Sequence, residues 1–326
     1  MSNYFDLLLV SHFSCLFIPR GRLSWLPISF LLHVKYTLSY RIMSCADARV
    51  TKQLSVGDGE VVLGVTSVGD ELFALLRRNV DQVAVYSIDD YQLLRHLLVP
   101  GLHRNDCNDI TSSVPHKCLY MSDCDNSCIH RYNLILRRNL RNVTKKWPVP
   151  AGSRSLRGVS VTPSGSLLVT CCRPSKLVEL SADSGQCVRE ITLQLDVLNP
   201  WHSVQLTTGQ FVVCHGFWDD NLHRVCVVDD DGRVVRSYGG RRGSDVGQLR
   251  WPRHLAVDRD SQFLFVTDEY SNRVVLLSPT LEFVHNVVEK LTHPRRLHLH
   301  QSTRRLFVGL ALYGLTVVHF ADVTRL

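Results

Sequence analysis

Long apolar runs are scarce in this chain of 326 residues. Within residues 1–43 the longest uncharged stretch is Leu7 to Pro19, which is too short to span a bilayer and is broken by Ser11, His12 and Ser14. No Lys or Arg precedes the apolar part of that segment, only Asp6, so the positive start of a secretory signal is missing. Paired metal-binding cysteines are absent too. There are eleven cysteines but no C-x-x-C knuckle, and Cys107, Cys118, Cys124 and Cys128 are separated by ten, five and three residues. That spacing disfavours a zinc site and favours reduced, mostly buried thiols in a cytoplasmic protein. The chain has no G-x-S-x-G elbow, no phosphate-binding glycine loop and no H-E-x-x-H pair. Strong charge is lacking as well: the formal net charge is +7, of which residues 1–43 supply +3. A mild basic balance is compatible with an anionic partner but does not identify one. What remains is ordinary for a globular chain, 45% hydrophobic and 21% charged, with ample material for a core.

The first 43 residues also show no sustained helical or strand period. A second methionine, Met43, opens "MSCADARVTKQLSV", which reads as an ordinary protein start. The expectation is therefore a poorly patterned extension over 1–43, outside the working protein, and one domain over 44–326.

That domain is repetitive. "LFVTDEYSNRVVLLS" from Leu264 has an apolar strand, a polar break and a second apolar strand. The same shape recurs from Gly69, His116, Ser164, Thr208 and Arg304. Equivalent positions are Ala74, Met121, Val169, Val213, Val266 and Val308, at spacings of 47, 48, 44, 53 and 42 residues, a period typical of propeller blades. A strand precedes each copy, for example "LGVTSV", "HSVQLT" and "RRLHLH". Most copies are followed by another, such as "CVREITL", and Val143, Lys145 and Trp147 alternate as a half-exposed outer strand should. Each unit is then a four-stranded antiparallel sheet, and six of them make an all-β, six-bladed β-propeller. The sixth copy lacks an outer strand of its own. "RVTKQLSV", residues 49–56, is predicted to supply it and so to close the ring.

Residues 239–274 carry a more specific pattern. It comprises a glycine-rich lead (Gly239, Gly240, Gly243, Gly247), then Leu249 and Pro252, the strand Leu255-Ala256-Val257-Asp258, Val266-Thr267-Asp268, and Asn272-Arg273-Val274. This resembles an NHL repeat. The glycines permit a tight lead-in loop, and Asp268 and Asn272 are expected to bond the backbone of the turn between strands two and three. The other copies keep the apolar pattern and lose most polar marks; Lys176 falls near the place of Arg273. NHL propellers form the C-terminal part of many tripartite-motif (TRIM) ubiquitin ligases, where they bind target proteins or single-stranded RNA. The resemblance implies a non-catalytic recognition module or scaffold, with a ligase supplied in trans. This chain has no RING-type Cys/His array, no B-box and no room for a long coiled coil, so it is not expected to be a ligase by itself.

Strand alternation puts the loops leading into the inner strands and the loops between strands two and three on one face. That face would gather Arg173, Lys176, Trp201, His202, Arg253, His254, Tyr270, Asn272, Arg273, Arg295 and Arg296. Cations meet phosphate and aromatic faces stack on bases, so a single-stranded RNA or an acidic protein segment is the expected partner; no cofactor, catalytic residue or membrane contact is expected. The competing reading is a metal-dependent lyase or hydrolase, since related six-bladed propellers hold a metal near the axis. Its candidates are Asp109, His202, His254, His298 and His300, with His298 and His300 on one face of a strand.

Overall fold

The six aligned positions explain the architecture. Ala74, Met121, Val169, Val213, Val266 and Val308 each lie in the second strand of a four-stranded sheet, and each has no exposed surface. The computed structural model describes residues 5–10, 14–19, 49–54, 60–78, 82–103, 105–135, 144–218, 220–311 and 314–319. It divides into two units, Ala48–Phe320 and a second made of Met1–Asp47 with Ala321–Leu326. In the second unit the described residues form a hairpin of Phe5–Val10 and Ser14–Pro19, paired from Phe5↔Pro19 to Val10↔Ser14. The sequence pattern did not reveal these strands, because their apolar residues do not alternate.

The first unit is the propeller. Blade 1 runs through Val62–Val68, Glu71–Leu76, Gln82–Ser87 and Leu93–Leu98, from the inner strand outward. Blade 2 uses Ile110–Ser113, Cys118–Asp123, Cys128–Asn133 and Thr144–Pro148. Blade 3 uses Arg154–Val161, Leu167–Arg173, Ser175–Leu180 and Cys187–Thr192. Blade 4 uses Pro200–Gln205, Phe211–His215, Leu222–Val228 and Val234–Arg241. Blade 5 uses Pro252–Val257, Leu264–Asp268, Arg273–Leu277 and Phe283–Val288. Blade 6 has Pro294–His300, Arg305–Leu310 and Leu315–His319, and its outer strand is Arg49–Leu54. The pairing Leu315↔Leu54 through His319↔Arg49 closes the ring as the sequence predicted. Inner strands of neighbouring blades touch all the way round, including blade 6 against blade 1.

The core lies between blades rather than within them. The second strands of blades 2, 4 and 5 are buried at every position and mostly apolar, because both of their faces are covered. In blade 1, Phe73 and Leu75 face blade 2, while Leu72, Ala74 and Leu76 face blade 6. Blade 4 repeats this, with Phe211 and Val213 toward blade 3 and Val212 and Cys214 toward blade 5. Trp147, on an outer strand, packs against Tyr120 and lies flat on Gly185 of blade 3, where a β-carbon would come within 2.3 Å of the ring.

One regular departure positions the site. In five of the six blades the pairing of inner and second strands carries a β-bulge near the start of the inner strand. The bulged residues are Leu63, Arg157–Gly158, Trp201, Arg253–His254 and Arg295. An unpaired residue is turned out of the pleat; Arg157, Trp201, Arg253, His254 and Arg295 are thereby brought into one polar and aromatic cluster, while Leu63 stays in the core between blades 1 and 2. Gly158 allows the inner strands of blades 3 and 4 to approach: a β-carbon there would lie 2.8 Å from the His202 Cα.

Ring closure rests on the seam between blades 6 and 1, where Phe307 is fully buried with Leu315 against Val62, Val65 and Leu72. Truncation of Phe307 to Ala is expected to lower unfolding free energy by about 3–5 kcal/mol in urea titration; a loss below about 1 kcal/mol would mean the seam does not carry the ring.

Candidate functional site

Asp109 stands just before the inner strand of blade 2, on the propeller axis, and is buried. Its Oδ1 accepts from the Ile110 amide (2.9 Å) and its Oδ2 from the Val159 amide (3.1 Å), so it ties blade 2 to blade 3. His254 Nε2 lies 3.2 Å and His202 Nε2 3.5 Å from the same Oδ2. The two imidazoles stack with centroids 3.7 Å apart. From the far side, Arg296 Nε sits 3.7 Å from Oδ1. Burial opposes ionisation of Asp109, but His254 and Arg296 hold the carboxyl well below the usual carboxylate range. Burial pushes His202 and His254 down, so both are neutral and His254 donates Nε2–H to the ionised Asp109. Their Nδ1 atoms are buried and unpartnered.

Three ligand atoms from Asp109, His202 and His254 lie within 4.8 Å of one another, the donor types a divalent cation takes. Two observations oppose that use. Amides already occupy the carboxylate oxygens, and Arg296 brings a second positive charge to the same group. A second trio, Asp123, Cys128 and His130, is similarly satisfied. Asp123 accepts from the Asn126 amide (3.0 Å), Asn126 Nδ2 (2.9 Å), His130 Nε2 (3.0 Å) and the His103 amide (3.3 Å). Both groups are better described as hydrogen-bonded anchors. His298 and His300 do not meet: His298 Nε2 is 2.6 Å from Ser67 Oγ and His300 Nδ1 is 2.7 Å from Thr303 Oγ1. A channel of about 570 Å³ is bounded by the inner strands and has His202, His254 and His298 in its wall.

Above the Asp109 cluster lies a layer of charge and aromatic rings. Trp201 is sandwiched between two guanidiniums, with Arg157 Cζ 3.7 Å and Arg253 Cζ 3.8 Å from its ring centre. Glu269 is buried between Arg253 (3.2 Å) and Arg295 (2.8 Å). Arg296 donates to the carbonyls of Leu63, Asp106 (3.3 Å) and Asn108 (2.8 Å), thereby linking blade 6 to blades 1 and 2.

These contacts change how the eleven face residues read. Arg253, His254, Arg296, Trp201 and His202 come together, but as buried groups held by Asp109, Glu269 and each other rather than as an open face. Arg273 is also buried; it donates Nε–H to Asp268 Oδ2 (2.9 Å) and Nη2–H to the Gln248 carbonyl (2.9 Å). Lys176 is buried against Glu190. The expected side-chain bonds from Asp268 and Asn272 to the backbone of the turn between their strands are replaced by longer-range ones: Asp268 Oδ1 takes the Arg250 amide and Asn272 Oδ1 takes the His293 amide, pinning the lead-in loops of blades 5 and 6. Asn272 and Arg173 are exposed, and Tyr270 and Arg295 are half-buried.

An aromatic shelf runs from the exposed Trp218 and half-buried Tyr270 down to the buried Trp251 on blades 4 and 5. Tyr270 stacks on Trp251 (4.8 Å, 17°), and Trp218 meets both at 5.1–5.4 Å. His293 contacts Tyr270 edge-on, while Arg250 lies 5.8 Å from its ring. Trp218 is 48% exposed, which is unusual for an indole with no core role to fill. Beside the shelf a groove of about 550 Å³ is lined by Ser244, Ser271, Asn272, Arg273, Lys290 and His293. The structural weight of Glu269 was not legible in the sequence, because its partners are brought to it by bulges.

No family model matches the chain, and no curated protein matches it. Solved structures do. A streptogramin B lyase aligns over 82% of this chain and 95% of its own, at 12% identity and a TM-score of 0.57. A hydrazine synthase from Kuenenia stuttgartiensis aligns over 84% and 99%, at 14% identity and 0.59. A catalytically inactive variant of virginiamycin B lyase from Staphylococcus aureus, solved with quinupristin, aligns over 79% and 80%, at 12% identity and 0.55. The chain is a six-bladed β-propeller. At these identities the likeness concerns the fold alone. Among the described residues no helix is long and apolar enough to cross a membrane.

Removing the Asp109 carboxylate would leave a buried guanidinium uncompensated. Asp109→Ala is expected to destabilise the propeller by about 3–5 kcal/mol in urea titration, and His202→Gln by less; the reverse order would refute the anchoring role. Acid sensitivity comes from buried histidines held neutral, His202, His254 and His298 among them, and His215 is one that lies outside the Asp109 cluster. His215 is fully buried, and its Nε2 accepts from Arg224 Nε (3.1 Å). Burial, then Arg224, pushes its pKa down to about 3. The unfolded chain therefore binds a proton that the folded one refuses, and stability is lost as pH falls from about 6.5 toward about 3. His215→Gln is expected to flatten the stability–pH slope between pH 6 and pH 4 by about 1.4 kcal/mol per pH unit, read from urea midpoints.

Proposed function

We propose that the protein is a binding module whose partner docks on the aromatic shelf of blades 4 and 5. The observation that carries this reading is the half-exposed Trp218, set beside Tyr270 and Trp251 with Arg250 next to it. Trp218 and Tyr270 keep part of their rings open to solvent, while Trp251 is buried beneath them as the floor of the shelf. Arg241 and Arg242 are exposed nearby, and Arg242 Nη1 donates to the Trp218 carbonyl (3.1 Å), which steadies the loop. A stacking platform edged with cations suits single-stranded RNA: bases have π faces to stack, and phosphates meet the arginines. An acidic protein segment offers the charge but fewer flat faces, so RNA is the favoured partner and protein the alternative outcome. Recruitment to a ligase supplied by another chain, which the NHL resemblance implies, would add a second partner.

This reading transfers the partner surface from the buried arginines to the shelf. Fluorescence anisotropy with short single-stranded RNAs, across a salt series, tests it. Trp218→Ala is expected to weaken binding by about 1–3 kcal/mol at constant fold, and Arg250→Ala and Arg242→Ala to make the salt dependence shallower. No binding at low salt would remove RNA and leave a protein partner to be sought on the same surface.

A second reading, a metal-dependent lyase or hydrolase, draws on the channel that reaches His202 and His254. The crowding of Asp109 by amides and Arg296 argues against it. Metal analysis after dialysis is expected to find far less than one divalent ion per chain; one per chain would reverse the preference.

A further inference from the structure

The nine described cysteines are free thiols, and two of them lie on neighbouring loops of blade 2. Cys107 lies in the loop leading into blade 2, and Cys124 lies in the turn after the second strand of the same blade. The two loops are tied side by side. Asn105 Nδ2 donates to Asp125 Oδ1 (2.8 Å), and the His103 amide donates to Asp123 Oδ2 (3.3 Å). The Cys107 amide donates to Asn105 Oδ1 (2.7 Å), which fixes the local turn. This frame places Cys107 and Cys124 on adjoining loops, close enough for each thiol to act on the other's ionisation.

The surroundings of Cys107 are cationic. Arg296 Nη2 grips the carbonyls on both sides of it, those of Asp106 and Asn108, and Arg253 Nη2 reaches the Asp106 carbonyl (3.3 Å). Arg157 is close enough to act on the same thiol. Three guanidiniums thus converge on one half-buried sulfur that packs against the Trp201 cluster. Anionic sulfur is the nucleophilic form, and nearby positive charge favours it.

We propose that Cys107 and Cys124 form a peroxide-responsive thiol pair, with Cys107 as the attacking sulfur and Cys124 as the resolving one. The Cys107 thiolate attacks one oxygen of a hydroperoxide. The O–O bond breaks, hydroxide or alkoxide leaves, and Cys107 becomes a sulfenic acid. The Cys124 sulfur then attacks the Cys107 sulfur. An S–S bond forms, the S–O bond breaks, and the hydroxyl leaves as water with the Cys124 proton. With hydrogen peroxide, two thiols lose two electrons and the peroxide becomes two waters. The electrostatics agree with this assignment of roles. The neighbouring Cys124 thiol, then the arginines, outweigh burial and bring Cys107 down to about 6, while the same proximity pushes Cys124 up.

Cys187 provides an internal comparison. It is exposed, yet burial and Glu190 push its thiol up. The test treats the full chain with substoichiometric to tenfold hydrogen peroxide, blocks remaining thiols with iodoacetamide, and maps cysteine states by mass spectrometry. The expected result is a Cys107–Cys124 link that forms at least tenfold faster than any oxidation of Cys187. In Cys124→Ser, dimedone is expected to trap Cys107 as the sulfenic acid. Oxidation of Cys187 ahead of Cys107, or alkylatable Cys107 and Cys124 after tenfold peroxide in the wild-type chain, would overturn the proposal. Because the wild-type competition alone decides, a folding defect in the variant cannot obscure the answer.

Discussion

Arg296 is the side chain on which the centre of this propeller depends. It starts from the inner strand of blade 6 and reaches carbonyls of blades 1 and 2, then faces the carboxylate of Asp109. Asp109 in turn takes an amide of blade 3 and the imidazole of His254 from blade 5. One ion pair and its hydrogen bonds therefore reach five blades. A buried charge is tolerated only when it is paired and hydrogen-bonded, and here each partner supplies what the other needs. Apolar packing between blades gives the ring its bulk stability, but that packing is much alike at every seam. The axial network instead ties five blades to one point by charge and hydrogen bonds.

The blade repeat was legible because burial on both faces imposes a mostly apolar run on every second strand, as "ELFALL" and "LFVTD" show. The closing strand was legible from arithmetic, since the sixth copy lacked a partner and Arg49–Leu54 was a strand without a sheet. The site was only partly legible. His202, His254 and Asp109 stood out as polar residues on or beside inner strands, and the ring brings them together. Arg253 and Arg296 read as surface cations and proved to be buried. A bulge moves Arg253 from the expected face of the pleat, and no residue pattern announces a bulge. Arg296 finds its partners in blades 1 and 2, far away in the chain, across a closure that only the three-dimensional ring creates.

This burial also reshapes where a partner can bind. A cluster of arginines in a propeller mouth suggests an anion site, yet Glu269, Asp106 and Asp109 already occupy these guanidiniums. The rings nearest solvent are the ones left over once Trp201 has been enclosed. Charge holds the axis, and the aromatic shelf, the docking surface proposed above, is built from rings that this network does not enclose.

The seam of the ring has a consequence for how the chain is made. Arg49–Leu54 leaves the ribosome before any blade exists, and its partner Leu315–His319 emerges only after the strands of blades 1 to 5. For almost the whole of synthesis that segment must remain an unpaired edge. Its Arg49, Lys52 and Gln53 suit such a wait, because charged and polar side chains discourage an exposed strand from joining a stranger. Ring closure is then a late, long-range event. A nascent chain stalled inside blade 6 would hold five finished sheets and one open edge, a form that quality-control machinery could recognise by that edge alone.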